Sequence, residues 1–350
     1  MTKAAIVGSL LGTVVGDAIG LPYEGLSWRR AVRMLGEPDR HRFLPGHGMV
    51  SDDTEHSCMV AQALIASGGD PDQFANHFAR GLRWWILGLP AGVGFATLRA
   101  SLKLWAGFSP SHSGVFSAGN GPAMRSAIIG AAVDDLPTLK RFVQASARIT
   151  HSDPKAEHAA LAVALAAHLA SQGDVVSGAA FLKELTQLVD AGADELLALV
   201  GRAVDSAERG EATSAYAASL GLDRGVTGYV YHTVPVALQA WLRHRHDLPT
   251  AVIEVVRCGG DTDTTAAIVG GIVGAAVGKE GIPGDWLEGL WEWPRTIAWI
   301  ERLAGQLHAA VSSGQVERPI RLPVFGVVPR NVLFLAIVLA HGFRRVLPPY

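Results

Sequence analysis

Ala4-Ala5-Ile6-Val7-Gly8-Ser9-Leu10-Leu11-Gly12-Thr13-Val14-Val15-Gly16-Asp17-Ala18 is an apolar run in which glycine returns every fourth residue. Gly8, Gly12 and Gly16 share one face of a helix. Glycine inside a soluble helix costs roughly 1 kcal/mol relative to alanine, so three on one stripe imply a face where another backbone comes very close. The same spacing recurs at Gly270, Gly274 and Gly278. Residues 4–18 and 263–278 are therefore expected to be central helices, each within ~10 Å of a closely packed neighbour, the other stripe being one candidate. Lys3 followed by Ala4–Val15 imitates a secretion leader, but no Ala-x-Ala cleavage site precedes Gly16-Asp17, and the run reads as a helix of the mature chain.

Outward from these segments the i, i+3, i+4 spacing of apolar residues recurs, while strand-like alternation is scarce. It predicts helices over 4–18, 55–67, 74–87, 122–132, 138–148, 155–171, 179–190, 194–207, 230–244, 250–257, 263–278 and 296–312. Gly, Pro, Asp and Ser punctuate the gaps. The expected class is all-α, and no fixed repeat of a solenoid is present. From about residue 313 the texture changes, with Pro319, Pro323 and Pro329 ahead of the apolar run Val332–Ala340. We read 1–312 as a single domain and 313–350 as an appendage docked on it. The late apolar run is about half of what a bilayer crossing requires, so a soluble chain with no membrane partner is expected.

Composition narrows the function. Of 350 residues 49% are hydrophobic and 18% charged, a profile that supports a large core and lies far from disorder. Thirty Lys+Arg against 32 Asp+Glu leave a net charge of −2, without the basic footprint that binds nucleic acid. Cys58 and Cys258 are the only cysteines, too few for a disulfide scaffold or a four-cysteine zinc site. They read as buried free thiols of a cytoplasmic protein.

Two acidic motifs carry the chemistry. Ser51-Asp52-Asp53-Thr54 precedes one amphipathic helix, and Gly259-Gly260-Asp261-Thr262-Asp263-Thr264 precedes another. Each alone has a plain structural reading: Asp52-x-x-Glu55 matches a capping box and Asp261 an N-cap. A cap, however, never requires two adjacent carboxylates. Two carboxylates ~4 Å apart repel by ~4 kcal/mol at an effective dielectric of 20, whereas a helix dipole returns only ~0.3–1 kcal/mol. Four such groups need cations. Oxygen-only ligands favour Mg²⁺, Mn²⁺ or Ca²⁺ over zinc. Asp261 and Thr264 can face the same way on the first turn, with Asp263 reaching from the other side. Because the motifs come from opposite ends of the chain, both ends must fold onto one site.

Gly16-Asp17-Ala18-Ile19-Gly20 with Glu24, Ser51-Asp52-Asp53-Thr54, Gly119-Asn120-Gly121-Pro122-Ala123-Met124-Arg125, Thr150-His151 and Cys258–Thr264 follow in an order that resembles the ADP-ribosylglycohydrolases. The likeness covers about residues 4–280. It implies a single orthogonal multi-helix bundle with a binuclear Mg²⁺ or Mn²⁺ centre in a loop-lined cleft, cleaving the N- or O-glycosidic bond at C1″ of ADP-ribose. By that resemblance Ser51, Asp52, Asp53, Asp261, Asp263 and Thr264 are metal ligands, with Ser51 standing where the family usually has Thr. Glu24 resembles the family's mobile glutamate, and either Glu24 or Asp53 would take the proton of the attacking water. Asp17 is expected to support the site from behind.

The substrate loop implied is Ser117, Gly119, Asn120, Gly121 and Met124, with His151 touching the ligand. Independently of the family, Gly119, Gly121 and the helix start at Pro122 suit an anion. After Trp84-Trp85, family members often carry Asp-Ile-Gly or Asp-Val-Gly, whereas this chain has Ala91-Gly92-Val93-Gly94 without a carboxylate, which weighs against arginine as the acceptor. The expected partner is an ADP-ribosylated protein or an ADP-ribose-containing small molecule. Rival readings are a metal-dependent nucleotide phosphoesterase and a non-catalytic ADP-ribose binder. Trp291, Trp293 and Trp299 read as a packing cluster, and His244 and His246 as solvated.

Overall fold

Thr2 Oγ1 accepts the amide of Ala5 at 3.1 Å and starts the first helix, which runs on through the glycine stripe until Leu21-Pro22 ends it. The computed structural model describes residues 1–173 and 176–347. Its helices of nine residues or more are α1 (Lys3–Gly20), α2 (Asp52–Ser67), α3 (Pro71–Leu87), α4 (Phe95–Trp105), α5 (Leu136–Thr150), α6 (Pro154–Ser171), α7 (Gly178–Leu188), α8 (Asp194–Glu208), α9 (Val230–Arg243), α10 (Leu248–Val256), α11 (Thr262–Val277), α12 (Ile297–Ser313) and α13 (Val324–Val346). Among the described residues there is no strand, only isolated bridges between loops. The class is all-α, as the spacing predicted.

The glycine stripes meet. A methyl carbon on Gly8 would stand 2.0 Å from Gly274 O, one on Gly12 2.1 Å from Gly270 O, and one on Gly16 2.1 Å from Ala266 O. As the α1 number rises by four the α11 number falls by four, so the helices are antiparallel and touch backbone to backbone. Gly20 continues the stripe, and Gly278, whose Cα would stand 2.7 Å from a methyl on Gly8, closes the contact while ending α11. The register has a functional consequence. It sets the end of α1, with Asp17 and the Leu21–Glu24 segment, beside the start of α11, where Thr262 Oγ1 donates to Gly20 O at 2.9 Å.

Three expectations are revised. The span 122–132 is two short helices, Gly121–Met124 and Ala127–Ala132, because Arg125 turns inward between them. Its guanidinium is fully buried on Gly121 O, Ser146 and Thr150 Oγ1. Trp291 and Trp293 are each 56% exposed while Trp299 is buried, so the three tryptophans do not form one core cluster; the Trp293 ring instead lies against Gly326. The late apolar run is part of a 23-residue helix, α13. Pro323 is the residue before the helix, where a missing N–H costs least, and Pro329 sits near its start. Lys3–Tyr23 and Phe325–Val346 are each long and apolar enough to cross a membrane by length and composition. The first is 89% buried inside the protein, the second 22%. Both cysteines are buried free thiols; His246 is exposed and His244 half-buried.

Polar contacts along its length fasten α13 to the body. Arg330 Nη2 donates to Val50 O at 2.5 Å and its guanidinium pairs with Glu292, Asn331 Nδ2 donates to Gly88 O at 2.7 Å, and His341 Nε2 lies 2.7 Å from Phe43 O. Phe334 is buried with Leu21, Phe43 and Met49. The opposite face leaves Phe325, Leu339 and Phe343 exposed.

Candidate active site

The start of α2 is fastened onto α1 by its own spare donors. The first amides of a helix lack intrahelical partners, and here they find Asp17, whose buried carboxylate accepts Ser51 N at 2.9 and 3.0 Å, Thr54 N at 3.1 Å and Thr54 Oγ1 at 2.6 Å. Ser51 is the N-cap, accepting Asp53 N. Thus Asp17 does support the site, and it also belongs to it. Carboxylate oxygens of Asp17, Asp53 and Asp263 lie within 4.8 Å of one another. Ser51 Oγ and Thr264 Oγ1 donate to Asp53 Oδ2 at 3.0 and 3.2 Å.

Neither acidic motif is explained by capping. Glu55 turns away from its helix start to Arg295 Nη1 at 2.8 Å and Trp85 Nε1 at 2.5 Å. Asp261 precedes α11, but its Oδ2 accepts Asn120 Nδ2 at 2.6 Å. Gly259 and Gly260 serve the motif through φ of +72° and +82°; a side chain on Gly260 would also strike Val226 O at 1.9 Å. Isolated bridges tie Gly260 to Leu26 and to Val226, holding the loop after Glu24 and the loop before Tyr229 against the second motif.

Burial pushes the carboxyls of Asp52, Asp53 and Asp263 well above the ordinary carboxylate range, and neighbouring acids push them further. Burial also lifts Asp17, to about 6, and raises Asp261; Glu24, at the cleft edge, is raised by partial desolvation and by the neighbouring Asp261. Within the cluster Asp53 Oδ1 and Asp263 Oδ1 are buried without any hydrogen-bond partner. Such atoms are costly to leave unpaired. Hard oxygen donors that repel one another and lack partners fit a divalent cation of the Mg²⁺ or Mn²⁺ kind.

These residues open onto a cleft of about 650 Å³, within the size range of small-ligand sites. Glu24, Ser51, Asp52, Asp261, Asp263 and Thr264 line it together with Ser117, Gly119, Asn120, Gly121, Met124 and His151. Asp53 lies behind that lining and is 1% exposed. Glu24 has an exposed side chain. His151 is held by Thr150 Oγ1 at 2.8 Å, and burial lowers it to about 3, so its ring is neutral. Gly119 and Gly121 are small because that ring stands on them: a methyl on either would meet it at 3.0 Å. The helix after Asn120 is a single turn, Gly121–Met124, so the helix-start contribution to anion binding is not available there.

A model of the ADP-ribosylglycohydrolase family matches residues 2–316. The chain belongs to the ADP-ribosylglycohydrolase family. Among curated relatives of the chain, an uncharacterized protein of Archaeoglobus fulgidus is 33% identical over 85% of this chain and 94% of its own. Human ADP-ribosylhydrolase ARH3 is 30% identical over 80% and 87%. The ADP-ribosyl-[dinitrogen reductase] glycohydrolase of Rhodospirillum rubrum is 28% identical over 81% and 89%. A solved structure titled "ADP-ribosylglycohydrolase-related protein complex" superposes with a TM-score of 0.63 at 29% identity, covering 88% of this chain and 98% of that one.

Some residues lining the cleft had no sequence signal. Thr227 and Gly228, Phe95 and Thr97, and Phe334 and Val338 of α13 all face the cleft. Ala91, Gly92 and Gly94 line it too, so the stretch without a carboxylate does border the site.

Proposed function

We propose that this chain is a metal-dependent hydrolase that cleaves the glycosidic bond at C1″ of ADP-ribose in an ADP-ribosylated protein or small molecule. The observation that carries the reading is the cluster of buried carboxylates with unpartnered oxygens at one wall of a cleft whose next wall is the Ser117–Met124 loop with His151. Ser51, Asp52, Asp53, Asp261, Asp263 and Thr264 would hold two Mg²⁺ or Mn²⁺ ions. When bound, these would supply Lewis-acid polarisation at the ribose end of the cleft.

The chain's own groups do the rest. Asp53, behind the lining and bonded to Ser51 and Thr264, is suited to ligation rather than proton transfer. Glu24, exposed at the cleft edge, is assigned the proton of the attacking water. Ser117, Gly119, Asn120, Gly121 and Met124 are assigned the diphosphate and adenosine side, against the neutral His151 ring. Positive charge developing at C1″ in an oxocarbenium-like transition state is stabilised by the adjoining carboxylates. The acid-free Ala91–Gly94 stretch supports an acceptor other than arginine, and the two free thiols support a cytoplasmic setting.

The test is a panel of substrates ADP-ribosylated on serine, on arginine, on a nucleic-acid end and as the O-acetyl ester, each with and without chelator. Release of free ADP-ribose that EDTA abolishes and Mg²⁺ or Mn²⁺ restores is expected. AMP or phosphate as product would replace this reading with a phosphoesterase, and tight ADP-ribose binding without turnover in any metal would replace it with a binder.

A further inference from the structure

We propose that α13 forms the acceptor-selecting wall of the cleft, where Phe334 and Val338, with Arg345 behind the loop that carries Glu24, favour an uncharged acceptor over a cationic guanidinium. The inference rests on the glycohydrolase reading above and extends it to the leaving group. α13 lies beyond the residues matched by the family model.

Three observations converge. First, Phe334 and Val338 line the same cleft as Glu24 and Asp52, and Leu21 and Ala91 pack with them. Glu24, the acid in the loop beside that flank, already faces the charge of Arg345, and a cation that sheds water against apolar side chains is penalised. Second, Arg345 Nη2 donates to Pro22 O at 3.2 Å, two residues before Glu24, and Arg30 donates to Arg345 O. A fixed positive charge thus stands beside the loop that carries the exposed glutamate, and a second guanidinium arriving there is repelled. Third, the register of α13 is pinned to the site itself. Arg330 bonds Val50 O, next to Ser51, and Asn331 bonds Gly88 O, at the entry to the Ala91–Gly94 stretch. The wall is built into the cleft rather than laid over it.

In the reaction selected, the C1″–O bond to the acceptor breaks, water oxygen bonds C1″, and the proton that water loses balances the one the acceptor oxygen gains. Full-length protein would be assayed with one peptide ADP-ribosylated at serine and the same peptide ADP-ribosylated at arginine, reading released ADP-ribose. The parent should show a serine-over-arginine ratio in kcat/KM of about 100-fold or more. Val338→Asp and Arg345→Gln should each shrink that ratio by about tenfold, the scale of a charge contact in a partly desolvated site. Leu339→Asp, the same change on the exposed face of the next residue, should leave it within about twofold. Melting curves establish that the variants fold, and Arg345→Gln stands if Val338→Asp does not. Equal cleavage of both substrates by the parent, or equal shifts in Val338→Asp and Leu339→Asp, would overturn the inference while leaving the glycohydrolase reading intact. Absence of ADP-ribose from both substrates in every variant and the parent would overturn that reading, and the inference with it.

Discussion

Asp261→Asn is expected to lower kcat/KM for ADP-ribose release by about 10³-fold or more and to erase the rise in melting temperature that Mg²⁺ gives the parent; Asp52→Asn should do the same. Both side chains line the cleft, one from each acidic motif, so each variant removes one side of the proposed metal cradle. The amide keeps shape and volume but carries no charge and offers only one oxygen. Retention of full metal-dependent turnover by both Asn variants would sink the assignment. Loss of activity together with an unchanged Mg²⁺ thermal shift would point instead to a role in chemistry alone.

The metal-free protein should also carry a pH signature. Asp17, Asp52, Asp53 and Asp263 hold their protons to higher pH in the folded chain than in the unfolded one, because burial penalises the charged forms. Unfolded aspartates titrate near pH 4. Above that value the folded state binds more protons than the unfolded state, so stability falls as pH rises. For Asp17 the window closes at about 6; the other three shift in the same direction. Melting temperature in EDTA should therefore decline from pH 5 to 7, and saturating Mg²⁺ should flatten the decline. A metal-free stability that rises over that interval would contradict the electrostatic argument.

What the sequence disclosed and what it hid follow from how each feature is encoded. The α1–α11 pairing was legible because both partners carry the same local code, glycine every fourth residue, and a close backbone contact admits few other residues. The acidic motifs were legible because two adjacent carboxylates exceed what a cap needs. Asp17 gave a partial signal, a lone acid in an apolar helix; its place in the carboxylate cluster depended on the antiparallel register, which spacing alone does not fix. α13 was hidden by its prolines, and its side chains in the cleft by the lack of any motif. Arg125 was quoted within a motif, but nothing in a single chain says that an arginine will be buried to fasten a loop.

Glu55 shows the same limit at one residue, and its replacement should have the largest effect on stability. Sequence spacing made it the far half of a capping box with Asp52, while its actual partners, Arg295 and Arg330, lie near the other end of the chain. Although burial pushes its carboxyl up, those two guanidiniums and the Trp85 indole bring it below the ordinary glutamate value. Glu55→Ala leaves Arg295 buried and short of its counter-ion, a loss of about 3–5 kcal/mol for breaking one side of a buried pair. Glu55→Gln separates the two readings. A capping box accepts glutamine as readily as glutamate, so Gln would restore stability if capping were the role. An ion pair needs the charge, so Gln should remain well below the parent at pH 7. Because the folded-state pKa is depressed, the charged form stabilises above about pH 4.5 and that contribution fades as pH falls through the lower folded value. The gap between parent and Glu55→Gln should accordingly narrow on acidification. Denaturant midpoints for the three proteins at pH 7 and pH 4 would decide it, and full rescue by Gln at pH 7 would return Glu55 to its helix.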